Sequence, residues 1–141
     1  MNYYSDSLDS FIYNGVSSTS FFMIIEETEG LLDSYERDVE FIEVKGRDGE
    51  LIIDNQRKKS KDIIVRGCID VEKANKTVDV LANEIESWLQ NTVSYKDLAF
   101  SDHKYKYQAI CTNQIKLSEI IQDLCEFEIK FKVMPNPKVV S

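Results

Sequence analysis

The chain reads as an α+β protein: mainly an antiparallel β-sandwich or partly open barrel, with one long helix over about 72–91 flanking it and β-hairpins protruding from it. Three observations predict this class. From Cys125 to Val133, the apolar Cys125, Phe127, Ile129, Phe131 and Val133 alternate with Glu126, Glu128, Lys130 and Lys132. That is the period of a strand with one face buried. Ala74, Val78, Leu81, Ala82, Ile85, Trp88 and Leu89 recur instead at the spacing of one helical face. The stretch Val39 to Gly67 is cut by Gly, Asp-Gly and Asp-Asn signals into short apolar runs, the mark of hairpins. Strands before and after a single helix place that helix on an antiparallel sheet.

Residues 1–10 are polar and rich in Ser and Asp, and read as a flexible N-terminal arm. Phe11-Ile12-Tyr13 is a short strand stopped by the turn dipeptide Asn14-Gly15. Ser17 to Ser20 is a polar loop, and the unbroken apolar run Phe21 to Ile25 is a buried strand. Glu26 to Ser34 is acidic and irregular. Val39 and Phe41 then alternate with Glu40, Ile42 and Val44, up to the turn Gly46-Arg47-Asp48-Gly49. Leu51-Ile52-Ile53 is a second apolar run, broken by Asp54-Asn55-Gln56. A basic patch of Arg57, Lys58, Lys59 and Lys61 leads into the strand Ile63-Ile64-Val65. The helix has Asp70 and Glu72 at its start, acids that suit its positive end. Trp88 is expected to dock it, with Leu81 and Ile85 on the same face.

Tyr95 to Phe100 is a short strand or turn, and Ser101 to Lys104 a turn. Tyr105 to Leu117 and Leu124 to Met134 are the last two long strands, joined by a turn at Ile120 to Asp123. Pro135-Asn136-Pro137 ends regular structure. The expected organisation is an arm over 1–10, a single β domain over 11–134, and a tail or linker to a second domain over 135–141.

With 141 residues there is room for one domain, and 7 Tyr, 7 Phe and 1 Trp can build its core. The net charge of −8 disfavours stable binding of a nucleic-acid backbone, and suits a surface past which DNA moves without sticking. Three cysteines, Cys68, Cys111 and Cys125, have no CxxC spacing and read as mostly buried, reduced thiols, with one disulfide plus a free thiol as the second reading. The N-terminus lacks the basic and apolar regions of a secretory signal, and no apolar run is long enough for a membrane helix, so a soluble protein made in the cytoplasm is expected.

The chemistry of enzymes leaves no pattern here. His103 is the single histidine, set in a turn beside Ser101 and Asp102, and adjacent residues do not form a triad. Asp48-Gly49 and Asp54-Asn55 lack the spacing of a calcium loop. Glu26, Glu27 and Glu29 read as hydrated loop carboxylates. There is no phosphate loop, dinucleotide fingerprint or nucleophile elbow. The basic patch fits a solvated turn, a contact with an acidic neighbouring subunit, or a nucleic-acid patch, although no aromatic residue interleaves it. No catalytic residue, cofactor or metal is expected.

Several segments, taken in order, carry a family resemblance. Phe11 to Ser18 resembles an opening strand and turn of the form F-x-x-N-G-x-x-S. Glu40 to Val44 followed by Gly46-Arg47-Asp48-Gly49-Glu50-Leu51 is similar to a PGRDGDL hairpin, with Lys45 in place of the proline. The helix end Ile85-Glu86-Ser87-Trp88-Leu89 and the last strand, Phe127 to Met134, match in position. Phe22 stands where glycine is common. The family is the distal tail proteins of long non-contractile-tailed bacteriophages, specifically their N-terminal ring domain. The resemblance implies a structural virion protein of the tail, assembled in the host cytoplasm as a homo-oligomer, with a hexameric ring expected. It would join the tail-tube protein to tail-tip or baseplate proteins and let DNA pass. Arg47, Asp48, Arg57, Lys58, Lys59 and Lys61 are then candidate residues of subunit-interface hairpins. Rival readings are a tail-tube or tail-terminator subunit, which would form filaments, and a stand-alone carbohydrate-binding β domain presenting Tyr3, Tyr4, Tyr105 or Tyr107. An enzyme of unrecognised type is a third.

Overall fold

The computed structural model of the chain describes residues 10–101, 103–121, 123–135 and 137–139; of the expected arm over 1–10, residues 1–9 lie outside them, and Ser10 is held by Ser101, its N–H donating to Ser101 Oγ at 2.9 Å. The strands are β1 (Phe11–Tyr13), β2 (Val16–Ser17), β3 (Met23–Glu29), β4 (Arg37–Glu43), β5 (Glu50–Lys58) and β6 (Lys61–Asp70). Two helices, α1 (Val71–Ala74) and α2 (Val78–Gln90), precede β7 (Lys96–Phe100), β8 (Tyr105–Ile110), β9 (Lys116–Ile121), β10 (Leu124–Val133) and β11 (Lys138–Val139). Nine strands form one antiparallel sheet in the order β2-β1-β7-β8-β10-β6-β3, with β9 beside β10 and β11 beside β8; β4 and β5 form a separate ribbon. The expected α+β class is the observed one.

The spine is the pair β6–β10, in register over all ten residues from Leu124 opposite Asp70 to Val133 opposite Lys61. The odd-numbered positions from Ile63 to Ile69 and from Cys125 to Val133 are buried, and the even-numbered ones face outward. The sheet folds over on itself. Although β7 and β8 separate β1 from β10 in strand order, the Phe131 ring lies 5.7 Å from Phe11 and 5.2 Å from Tyr13. Phe11, Tyr13, Ile63, Val65, Leu98, Ala109, Ile129 and Phe131 belong to the single core between the two halves.

The expected helix over 72–91 is two helices. Asn75 adopts a left-handed conformation (φ 54°) and its N–H closes α1 on the carbonyls of Val71 and Glu72. Asn tolerates that conformation at low cost, and Thr77 then starts α2. The apolar spacing Ala74, Val78, Leu81 spans the break, because both pieces bury a residue on the same side. Leu81, Ile85 and Leu89 of α2 are buried in the core. Trp88 stacks on Phe21 at 4.8 Å and Phe11 at 5.5 Å, and its Nε1–H donates to the Tyr13 carbonyl at 2.9 Å.

Other boundaries differ from expectation. The polar loop at Ser17–Ser20 is a 3-10 turn, Ser18–Phe21, whose Ser18 hydroxyl accepts from the Phe11 N–H inside the protein. Tyr105 to Leu117 is not one strand; residues 111–115 part β8 from β9. Regular structure resumes past Pro135, since Lys138 and Val139 pair with Lys106 and Tyr105. Asp54-Asn55-Gln56 does not end a strand either. It is an irregularity within β5, with Gln56 at φ 59° and a register shift between Arg37 and Val39 opposite.

Candidate assembly surface

The ribbon β4–β5 stands off the body as an arm. At about 3.4 Å per residue, the nine residues of β5 reach about 30 Å. Every one of them is exposed. In the ribbon's register Phe41 faces Ile52, Ile42 faces Leu51 and Glu40 faces Ile53. Adjacent pairs point to opposite faces, so apolar side chains cover both. Phe41 is 62% and Ile52 65% exposed. An isolated two-stranded ribbon is marginal in water, and this one exposes paired apolar residues on both of its faces. The loop 44–49 at the tip carries Arg47 and Asp48, both exposed.

The cations of the basic patch are used unequally. Arg57 donates to the Asp38 carboxylate, which also accepts from Asn55 Nδ2 at 3.0 Å. These two donors, Asn55 foremost, hold the Asp38 carboxyl below its ordinary pKa. Lys59 Nζ lies 3.6 Å from Glu36, and the Lys59 N–H closes the root of the arm on the Glu36 carbonyl at 2.7 Å. Lys58 is exposed. Lys61 is not on a protruding hairpin. It opens β6 and turns inward, donating to the carbonyls of Leu31 at 3.0 Å and Asp33 at 2.7 Å, beside the rings of Tyr35 at 4.8 Å and Tyr107 at 5.7 Å. Burial lowers its pKa. Its neighbours in sequence signalled a basic surface, and only the loop 30–36 packing over it turns it into a clamp on the base of the arm.

The carboxylates Glu26, Glu27 and Glu29 lie on β3, not on a loop. Ile25 faces Gly67, yet Glu27 faces Arg66, so one residue is inserted at Glu26. Without that bulge, Glu27 and Glu29 would share the inward side with Met23 and Ile25. With it they face outward, where Arg66 binds Glu29 at 3.2 Å, Glu27 at 3.6 Å and Glu128 of β10 at 2.9 Å. The free edge of β3 is thereby bulged and charged, the usual guard against strand addition. The arm carries its irregularity and its charges near its root, at Gln56 and Arg57, while its outer half, Phe41-Ile42 against Leu51-Ile52, pairs regularly and exposes apolar side chains.

No catalytic arrangement forms among the described residues. His103 makes an edge contact with the Phe100 ring at 6.3 Å, and Asp102 lies outside the described residues. No group of His, Cys, Asp and Glu among the described residues has the geometry to hold a metal ion. The three thiols are free, with Cys111 and Cys125 buried and Cys68 half-buried. No helix is long and apolar enough to cross a membrane among the described residues. Sequence reading missed the arm's apolar pairs as a surface. The alternation was visible, but nothing local says that neither face packs on the body.

No protein-family model matches the chain. No curated protein matches it. Among solved structures it is similar to the Dit protein of SPP1, described as a paradigm of the hub adsorption apparatus in phages that infect Gram-positive bacteria. The TM-score is 0.68 at 16% identity, covering 93% of this chain and 51% of that one. The chain thus spans about half the length of that protein, and the likeness is one of fold.

Proposed function

We propose that the chain is a structural protein of a bacteriophage tail that forms a ring hub at its distal end. The ring, hexameric on this reading, joins the tail tube to the tip or baseplate and leaves a bore for DNA. The observation that carries the proposal is the fold shared with a tail-hub protein over 93% of the chain. Three features support it: the self-exposing arm, the absence of converging catalytic groups among the described residues, and a net charge of −8 suited to letting DNA slide. In the ring, each arm lays its apolar pairs on the neighbouring copy, and the exposed tip with Arg47 and Asp48 reaches across the joint.

Negative-stain images and sedimentation of the purified chain test this. Rings are expected. A double variant Phe41→Asp with Ile52→Lys is expected to sediment as a monomer while keeping the parent's circular dichroism spectrum, since both side chains are solvent-exposed in the single chain. Filaments would favour a tube subunit. A monomer at every concentration, or rings that survive the double variant, would count against the arm as the joint.

A further inference from the structure

Charge is distributed unevenly along the outer face of the large sheet. At one end a groove of about 570 Å3 beneath the arm is lined by Arg57, Lys58, Lys59 and Lys132, with Ser60 and Asp38. Asp38 is engaged by Arg57 and Asn55, which leaves Lys58 and Lys132 without an ion-pair partner among the described residues. At the other end, Glu26, Asp70 and Glu126 gather around Cys68, which lies opposite Glu126 on β10 and opposite Ile24 on β3. Burial pushes the Cys68 thiol pKa up, and the carboxylates of Glu26 and Asp70 push it further, so their fields converge on one spot. Between the two ends most charges are paired, Arg66 with Glu27, Glu29 and Glu128 and Lys116 with Glu128, while Lys130 takes up Asp62, which lies opposite Lys132 at the basic end. Glu126 and Lys132 share the outward side of β10 about 20 Å apart.

The face therefore runs from an acidic end to a basic one. We propose that the acidic end of one copy, led by Glu26 and Glu126, seats against the basic groove of the next copy, led by Lys58 and Lys132. The inference rests on the ring reading above and names a joint within it. Two different patches of one chain make such a contact, so it is head-to-tail. That kind of contact closes a ring when its rotation permits and otherwise runs on as a filament. A two-fold pair would bury the same patch on both partners.

Head-to-tail geometry has a signature that charge reversal reads. In one variant, Glu26→Lys with Glu126→Lys spoils the acidic end. In the other, Lys58→Glu with Lys132→Glu spoils the groove. All four residues are exposed, and far-ultraviolet circular dichroism and melting verify that each variant folds. Sedimentation is expected to show association weakened about tenfold or more in each variant alone, and weakened in the parent by added salt. Mixing the two variants is expected to restore assemblies of the parent's size, because each intact patch meets an intact partner and each reversed patch meets a reversed one.

A parent that never assembles would sink the ring reading and this joint with it. A parent that forms rings, with both charge variants assembling equally well, would sink the joint alone. So would weakened variants that fail to recover on mixing. If Lys58→Glu with Lys132→Glu kept its rings but lost retention of single-stranded DNA seen with the parent, the groove would be a nucleic-acid contact instead.

Discussion

Replacing Gly67 by alanine tests the device that orients the acids of β3. A Cβ on Gly67 would overlap the Ile24 carbonyl oxygen and lie 3.0 Å from both the Ile24 carbonyl carbon and the Ile25 Cα. Comfortable carbon–carbon contact begins near ~3.5 Å. All three obstacles are backbone, so no rotamer change relieves them. The edge strand must move away from β6 by several tenths of an ångström or more, straining the pairs from Met23–Ile69 to Glu29–Ile64. Overpacking costs about 1–3 kcal/mol, and an obstacle made wholly of the backbone of β3 puts this case near the upper figure. For a domain of this size, about 3 kcal/mol corresponds to a melting temperature lower by roughly 10 °C. Gly15→Ala is the control. Gly15 sits at φ 82° with nothing within 4 Å of the place a methyl group would take, so only the left-handed backbone opposes it. That costs about 1 kcal/mol. Thermal melts by circular dichroism read both variants, and hydrogen exchange is expected to show faster opening of β3 in Gly67→Ala. Equal melting of Gly67→Ala and the parent would refute the close approach and the bulge built on it.

Three further outcomes follow from the same contacts. Trp88→Phe keeps a ring against Phe11 and Phe21 but strands the Tyr13 carbonyl, and is expected to cost about 1–2 kcal/mol in denaturant melts, against about 3–5 kcal/mol for Trp88→Ala. Lys61→Met leaves the carbonyls of Leu31 and Asp33 without their donor; stability is expected to fall by about 1–3 kcal/mol, with faster proteolytic cleavage in the segment 30–36 at the base of the arm. Tyr13 is buried, and burial foremost, then Cys111, raises its phenol pKa from 10.0 to about 12. A raised acid favours the native state below pH 10, and that contribution disappears as pH climbs through about 12. Two pH units correspond to about 2.7 kcal/mol, so denaturant midpoints are expected to drop across this window, with Tyr13→Phe flattening the drop.

Local pattern carried most of the fold. The alternation in β10 named its buried residues correctly, Cys125 through Val133, because a strand's period assigns sides without reference to its neighbours. Leu81, Ile85 and Leu89 were equally legible as one helical face. The turn at Gly46-Arg47-Asp48-Gly49 was visible as glycine punctuation, and both glycines adopt positive φ there. The misses have physical causes. Counting apolar spacing alone concealed Asn75, whose left-handed backbone divides α1 from α2. Glu26 to Glu29 read as a loop because the segment is acidic; the bulge that lets those carboxylates stay on a strand and face outward is not written in their composition.

What the residues determined by themselves is which side chains share a face and where the chain turns, because both are settled within a few neighbouring residues. What only the tertiary structure decided is where those faces look. The approach of Ile24 to Gly67 turns Glu27 and Glu29 outward, the loop 30–36 draws Lys61 inward, and no element packs on Phe41 or Ile52. Each depends on backbones distant in sequence coming together, and a period in one segment holds no information about what arrives opposite it.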